Sequence, residues 1–381
     1  MRLLFTLLLV MIAGCNKTEP DSVNGALRKF NAKDYRGCIA ELDRIVAANP
    51  TDVFAYGTRA FCRDAVGDID GAIADYSSAI AIDPQNPASF NNRGSERMRK
   101  NDLEGAQADF ETAVRLNPRY AQAQRNLGTA KRLRHDFNGA LAEYDRAIEI
   151  ESDNAQGYLD RGSTRVEMGD PKGGLSDLNE AIQRNSKSAA LYAARARVHL
   201  QLDNYPAAER DFTQAIALDS NNPALVYERG CLYYDREEWG KALTDFGTVM
   251  QLDPRHDEYA RIRTALVQLR EGQTNTADAT LRELEQRWKT TPDDWLAFIA
   301  AFLTGDVSRE DFLARMQTYS RGDMTRECQA YFYAGSLRLA EHDVKGARKD
   351  FEHTVATGQT TLFEYRSAVR ALRVLHSRGQ V

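Results

Sequence analysis

Six polar residues in the first half of the chain have the types and spacing of a peptide-binding surface. They form two rows, Asn91, Ser95 and Arg99 in one and Arg125, Thr129 and Arg132 in the other. Spacings of three and four place each row on one face of a predicted helix. Guanidinium groups bind carboxylates and asparagine pairs with peptide backbone, so the rows predict a site for an extended peptide or its terminal carboxylate. The pattern also fits a solvated surface that holds no ligand.

A second charged pattern recurs along the chain. Arginines occupy matching positions at Arg59, Arg93, Arg161, Arg195 and Arg229. Acids recur at a constant distance behind these positions, at Glu41, Asp75, Asp109, Glu143, Asp177, Asp211, Asp245 and, later, Asp350. The coupled spacing favours ion pairs between neighbouring helices, each contributing about 0–1 kcal/mol if exposed. A charged recognition surface is the alternative interpretation.

The sequence lacks the patterns of the common catalytic and metal sites. It contains no Ser-x-x-Lys, no Gly-x-Ser-x-Gly and no glycine-rich phosphate loop. Its histidines form no His-x-x-x-His pair, and its cysteines form no Cys-x-x-Cys pair. These observations predict a protein that is not an enzyme and that holds no cofactor or metal. An enzyme with an unrecognised site is the alternative.

Charge and cysteine content narrow the class of partner. Acidic and basic residues are mixed along the chain, with a net charge of -5 and no basic block, so nucleic acid is not an expected partner. Cys38, Cys62, Cys231 and Cys328 are irregularly spaced. The positions at multiples of 34 residues after Cys38 hold Ala or Gly, and this favours a small buried residue at Cys38. In an oxidising compartment a Cys38–Cys62 disulfide is the alternative.

The N-terminus has the features of an export signal. Met1-Arg2 is followed by an apolar stretch to Ala13 that is too short to span a bilayer. Ile12-Ala13-Gly14-Cys15 resembles the lipobox of bacterial lipoproteins. That resemblance implies cleavage before Cys15 and its acylation, with palmitate as an expected label. Asn16 favours the outer membrane by resemblance to lipoprotein sorting signals. An ordinary cleaved signal is the alternative.

A pattern repeats every 34 residues, seven times, from about Glu19 to His256. A period of this size predicts stacked helix–turn–helix units, which form extended binding surfaces. The eighth place of the unit is small: Ala26, Ala60, Gly94, Gly128, Gly162, Ala196 and Gly230. The twentieth place is also small: Cys38, Ala72, Ala106, Ala140, Gly174, Ala208 and Ala242. The twenty-fourth place is large and apolar: Leu42, Tyr76, Phe110, Tyr144, Leu178, Phe212 and Phe246.

These places resemble the tetratricopeptide repeat (TPR). The resemblance implies an all-α, right-handed superhelical solenoid whose concave surface is lined by the first helix of each repeat. A further copy returns at Tyr331, Gly335, Ala347 and Phe351, and Trp295, Phe298 and Phe302 are predicted to share a helix face. The predicted organisation is a signal peptide (1–14), a lipidated tether (15–22), seven repeats (23–256), degenerate helical repeats (257–327) and a last repeat with a C-terminal capping helix (328–381).

The C-terminal third carries a narrower resemblance. Trp295-Leu-Ala-Phe-Ile, Ala330-Tyr-Phe-Tyr-Ala-Gly335 and Phe363-Glu-Tyr-Arg-Ser-Ala368 resemble the end of NlpI-type lipoproteins. Those proteins are bacterial envelope adaptors that gather peptidoglycan hydrolases and a protease. The resemblance implies a membrane-anchored periplasmic scaffold that binds other envelope proteins through its groove and the membrane through lipid on Cys15. An assembly or pilot lipoprotein for a secretin or pilus system is the alternative, and a homo-oligomer stays open.

Overall fold

The structure is a computed structural model that describes residues 23–255, 257–288, 295–320 and 324–379, with α-helices as its regular elements. The predicted signal peptide (1–14), Cys15 and the tether (15–22) lie outside these residues. Two compact units divide between Asn185 and Ser186. In the described part of the chain, no helix combines the length and the apolar character that a membrane crossing needs.

The first unit consists of five helix pairs, each a first helix followed by a second helix of similar length. Its described helices are α1 (Val23–Asn31), α2 (Tyr35–Ala48), α3 (Val53–Ala65), α4 (Ile69–Ile82), α5 (Pro87–Arg99), α6 (Leu103–Leu116), α7 (Ala121–Leu133), α8 (Phe137–Ile150), α9 (Ala155–Glu167) and α10 (Pro171–Arg184). The first helices of neighbouring repeats contact one another, so their exposed sides form one surface.

The second unit begins with two more regular pairs and continues with helices of less uniform length. Its described helices are α11 (Ala189–Gln201), α12 (Tyr205–Leu218), α13 (Pro223–Asp235), α14 (Trp239–Leu252), α15 (Glu258–Arg270), α16 (Thr274–Trp288), α17 (Trp295–Leu303), α18 (Arg309–Ser320), α19 (Met324–Ala340), α20 (Val344–Ala356) and α21 (Phe363–Ser377). Residues 257–327, where the repeat pattern is lost, thus contribute helices α15 to α18.

The five second helices of the first unit each start at an aspartate cap followed three residues later by glycine. Asp136 Oδ1, for example, accepts the Gly139 N–H at 2.9 Å and satisfies a free donor of the first turn. A Cβ at Gly139 would stand 2.1 Å from Asp136 Oδ2, so the cap closes fully only over glycine. In the sixth repeat Ala207 replaces the glycine, and its N–H lies 3.4 Å from Asn204 Oδ1.

The small places predicted from the repeat allow close contact between paired helices. Gly94 of α5 faces Phe110 of α6, and a Cβ at Gly94 would stand 2.8 Å from Phe110 Cε1. Phe110 and Ala106 are fully buried. Gly128 and Tyr144 meet in the same way. The predicted roles of the small and aromatic places are therefore confirmed.

The irregular helices of the second unit are joined by aromatic stacking. Phe312 of α18 stacks on Phe302 at 4.2 Å and on Trp295 at 5.6 Å, and Phe298 lies 5.3 Å away. The face predicted for Trp295, Phe298 and Phe302 is confirmed because one ring contacts all three. Trp295 Nε1 donates to Gln329 Oε1 at 2.8 Å, which ties α17 to α19.

Cys38 and Cys62 form a disulfide between α2 and α3. The favoured interpretation of Cys38 as an unpaired small residue was therefore wrong in part. Cys38 is fully buried, as expected for a small place, but Cys62 is equally buried against it, with 6.3 Å between their Cα atoms. The twentieth place contacts the next repeat as well as its own, so a cysteine there can reach a neighbour. Cys231 and Cys328 are buried and free.

Candidate functional site

The two predicted rows lie on α5 and α7, neighbouring first helices of the first unit. We call the surface formed by α3, α5, α7 and α9 the first-unit face. Asn91, Ser95 and Arg99 occupy α5, and Arg125, Thr129 and Arg132 occupy α7. The Asn126 amide of α7 donates to Asn91 Oδ1 at 2.9 Å, so the rows are joined directly.

Each arginine of the rows is paired with an acid on a neighbouring first helix. Arg125 Nε donates to Asp160 Oδ2 of α9 at 2.9 Å, and Arg132 Nη1 lies 2.8 Å from Glu167 Oε2. Arg99 pairs with Asp64 of α3 and with Glu96 of its own helix. The three inter-helix pairs each span 35 residues, one place more than the repeat. These acidic partners were not predicted from the sequence. They can be found there, because each lies 35 residues from its arginine, at an adjacent place in a neighbouring repeat.

The uncharged members of the rows are also engaged within the protein. Asn91 is fully buried and donates to Asn92 Oδ1 at 3.2 Å. Ser95 Oγ donates to the Asn91 carbonyl at 3.0 Å, and Thr129 Oγ1 donates to the Arg125 carbonyl at 3.1 Å. Asn91 is therefore a positioning group between the helices, whereas the partly exposed arginines are the groups that a ligand can reach.

These contacts define what the first-unit face can do chemically. A ligand carboxylate can replace an intramolecular acid at an arginine, because one guanidinium offers five N–H donors and its partners leave some of them open. Because every arginine of the two rows is already paired, a ligand carboxylate binds there by replacing an acidic side chain of the protein. The assignment of a ligand to these six residues stays a prediction.

The recurring arginines form ion pairs inside the repeats. Each of these arginines donates two hydrogen bonds to the acid of the following second helix, Nε to Oδ2 at 2.8–3.1 Å and Nη2 to Oδ1 at 2.6–2.8 Å. The arginines are Arg59, Arg93, Arg161, Arg195 and Arg229. The acids Asp75, Asp109, Asp177, Asp211 and Asp245 are buried. The interpretation as structural pairs between helices is confirmed.

Four of these arginines also reach the preceding repeat, since Arg93 and Arg229 donate to Ser77 and Thr213 there. Arg59 Nη1 lies 2.8 Å from Asp43 of α2, and Arg161 Nη1 lies 2.6 Å from Asp145 of α8. A second arginine contacts three of the buried acids; Arg63, for example, lies 3.0 Å from Asp75. Each guanidinium of this kind joins three helices, so the charges hold the repeats in register and are not displayed for recognition.

The last helix of the second unit, α21, lies on the first helices of that unit. Phe363 packs edge-on against Tyr227 of α13 with centroids 5.2 Å apart. The Tyr333 hydroxyl of α19 donates to Glu364 Oε1 at 3.0 Å, and Arg263 of α15 donates to Ser367 Oγ at 3.3 Å. We call this surface of α13, α15 and α19, with the turns that hold Asp203 and Glu237, the α21 seat.

The C-terminal half of α21 is held by charges at the rim of the α21 seat. Arg373 pairs with Asp203, and Arg378, just beyond the helix, pairs with Glu237 at 2.7 Å. The Arg370 guanidinium lies over the Tyr205 ring at 4.9 Å. The sequence predicted a capping helix here, and its position across the first helices was not foreseen.

A buried cation lies beneath α21. Arg263 is fully buried between the rings of Tyr234 at 4.9 Å and Phe332 at 4.5 Å. Its Nε and Nη2 atoms have no hydrogen-bond partner, and neither does the buried Asp235 Oδ1. Burial raises the pKa of the Asp235 carboxyl and raises the pKa of the Cys231 thiol to about 12.

Among the described residues, no set of three His, Cys, Asp or Glu side chains is arranged to hold a metal ion. The buried Cys231 thiol has a raised pKa, the opposite of an activated nucleophile.

Comparisons with known proteins identify the repeat. A model described as TPR repeat matches residues 65–95, and one described as tetratricopeptide repeat matches residues 91–155 and 159–223. Among curated proteins, none matches this chain.

Similar solved structures share the helical repeats at low identity. A tetratricopeptide repeat protein from Parabacteroides merdae ATCC 43184 is 18% identical over 75% of this chain and 98% of its own, with a TM-score of 0.49. PilW, a widely conserved type IV pilus biogenesis factor, is 20% identical over 53% and 94%, with a TM-score of 0.48. YrrB, a TPR protein with an unusual peptide-binding site, is 20% identical over 48% and 93%, with a TM-score of 0.38. With the repeat geometry above, the family-model matches show that residues 65–155 and 159–223 form tetratricopeptide repeats.

Proposed function

We propose that this chain is a lipid-anchored periplasmic scaffold that binds other envelope proteins and does not itself catalyse a reaction. The observation that carries the binding role is the first-unit face, where polar and charged side chains of four successive first helices meet on one surface. Stacked repeats present such a surface to extended peptides over several helices.

Three features support the envelope location. Cys15 closes a lipobox-like sequence behind an apolar stretch, which favours acylation there. The Cys38–Cys62 disulfide is compatible with an oxidising compartment such as the periplasm. Asn16 after the lipidated cysteine favours the outer membrane. Replacing Cys15 with Ser should abolish palmitate labelling in cells, and continued labelling would contradict the anchor.

Partner capture tests the scaffold role. The variant Arg99→Ala with Arg125→Ala should reduce recovery of partners from solubilised envelope by about tenfold, because charge-assisted contacts to a partner carboxylate are lost. Arg115→Ala with Arg119→Ala is the matched control, since both residues are exposed and lie outside the first-unit face. Equal recovery from both variants, with normal helicity, would move the site elsewhere.

The identity of the captured proteins separates the two versions of this function. Peptidoglycan hydrolases or proteases would support the adaptor role suggested by the C-terminal resemblance. Secretin or pilus subunits would instead support an assembly role.

A further inference from the structure

The α21 seat is a second interaction surface, distinct from the first-unit face. We propose that it binds an amphipathic helix of a partner protein, one that carries an aromatic residue, a carboxylate beside it and arginines two and three turns later, and that α21 is a displaceable occupant of the same seat. The inference rests on the proposed scaffold function and adds to it the chemistry of one partner.

The contacts of α21 define what the seat accepts. Phe363 fills the aromatic position against Tyr227, and the adjacent Glu364 accepts the Tyr333 hydroxyl. Two turns later Arg370 reaches Tyr205, and three turns later Arg373 reaches Asp203. An aromatic end, a buried carboxylate and a basic end are therefore specified by the seat itself.

Charge complementarity is found at the rim of the seat, beside the C-terminal half of α21. The rim offers Asp203 and Glu237, and Asp235 lies beneath the helix, close to Ser367 of α21. Arg366, Arg370 and Arg373 all lie on α21. An acidic rim that faces the basic C-terminal half of α21 fits a partner helix with a basic end and disfavours one with an acidic end.

The fit of α21 is incomplete. Arg263 Nε and Nη2, Asp235 Oδ1 and Arg370 Nε are buried without a hydrogen-bond partner. Buried polar atoms that are left unpaired cost free energy, which a better-matched helix can recover. A competing helix therefore has contacts to gain that α21 does not make.

The connection to α21 allows it to leave. Residues 357–362 link α20 to α21 without helix, and Gly358 adopts a positive φ of 68°. The rim pairs are half exposed, with 51% of the Arg373 side chain and 50% of the Arg378 side chain accessible to solvent. Exposed ion pairs of this kind hold a helix only weakly.

Peptide exchange in the full chain tests the proposal. The probe is a fluorescent synthetic peptide of residues 359–379 with the natural sequence. The latch variant, Arg373→Glu with Arg378→Glu, weakens the internal occupant but leaves the seat unchanged. Its Kd for the probe should fall by about tenfold relative to the unmodified chain, because an occupied seat lowers apparent affinity. Lys345→Glu with Lys349→Glu, exposed on α20, is the charge-matched control and should bind like the unmodified chain.

A charge exchange in the latch variant distinguishes binding in the seat from general loosening. Adding Asp203→Lys and Glu237→Lys restores opposite charges between the altered α21 and the rim, and repels the natural probe. Probe binding should then be lost while helicity is kept. Lysine is tolerated in this turn conformation, since Lys33 adopts a φ of 63° at the matching place.

Three results would overturn the proposal. The probe affinity of the latch variant equals that of the unmodified chain, the second unit unfolds when the latch is broken, or light scattering shows dimers that exchange α21 between copies. Arg378→Ala alone is the milder variant and should shift affinity in the same direction. None of these variants touches the first-unit face, so failure here leaves the capture experiment on that face interpretable.

Discussion

In both units the first helices of the repeats form one surface, but its side chains find their partners in different ways. In the first unit, side chains of that surface pair with one another from helix to helix, as Arg125 does with Asp160. In the second unit, a helix from the end of the chain covers it and leaves Arg263 partly unsatisfied below. The side chains of a repeat surface can thus be satisfied either by pairing with one another or by a helix that covers them.

The difference extends to the hydrophobic cores. The first unit holds small separate clusters, such as that of Ala106, Phe110, Leu127 and Ala130. The second unit holds a large cluster that runs from its first repeat to α21, and beside it one small cluster of Ala193, Ala215 and Leu225. Contacts in a regular stack reach only the neighbouring repeats, whereas α21 joins helices that are distant in sequence.

The largest expected effect tests the separation of the cores. Phe110→Ala should destabilise the first unit by about 3–5 kcal/mol, because a fully buried ring is lost from a small cluster. Hydrogen exchange during denaturant titration should show faster opening in α5 to α8 and unchanged protection in α13 to α20. Phe54→Ala, at a ring that is 42% exposed, is the control. Equal loss of protection in both units would remove the distinction.

Reduction should also act on one unit. Breaking the Cys38–Cys62 disulfide should cost the first unit about 2–4 kcal/mol, because the unfolded chain regains the freedom of the closed loop. Cys38→Ala with Cys62→Ala should reproduce the effect without reductant. The thermal transition of the second unit, where Cys231 and Cys328 are free, serves as the internal reference. A shift of both transitions under reductant would contradict the prediction.

A smaller loss of stability is expected when the third repeat is given the leucine that the fourth repeat has in place of the recurring arginine. The fourth repeat has Leu127 in place of the recurring arginine, and Lys131 contacts its acid, Glu143, at 2.6 Å. Arg93→Leu copies that change and should cost about 1–3 kcal/mol, because the buried Asp109 loses two hydrogen bonds. Urea denaturation of this variant, beside Arg115→Leu at an exposed position, measures the difference. No difference between the two would mean that the arginine series adds nothing to stability.

The smallest effect concerns salt. High ionic strength should weaken the exposed rim pairs of α21 by about 0–1 kcal/mol each, while the buried Arg93–Asp109 pair is shielded from ions. Amide exchange in α21 should therefore quicken with salt relative to exchange in α6. Uniform behaviour of the two helices would indicate that the rim pairs do not hold α21.

Much of the fold was accessible from the repeat alone. The helix pairs, the close contact of Gly94 with Phe110 and the role of Arg93 in gripping Asp109 all follow from places within one period. Such contacts are local, and they recur, so each copy supports the interpretation of the others. The candidate site was predicted only in part: its residues share a face, but the acids that pair with them were not foreseen.

What the sequence by itself determined is the part of the protein that repeats: all-helical pairs, small contact places and internal ion pairs. Only the tertiary structure decided the contacts that do not repeat. Arg263 meets Ser367 across 104 residues, and Arg373 meets Asp203 across 170. No periodic pattern encodes such pairs, because they depend on where the irregular helices α15 to α18 lead the chain. The Cys38–Cys62 disulfide belongs with them, since it occurs once and required the geometry of two adjacent repeats.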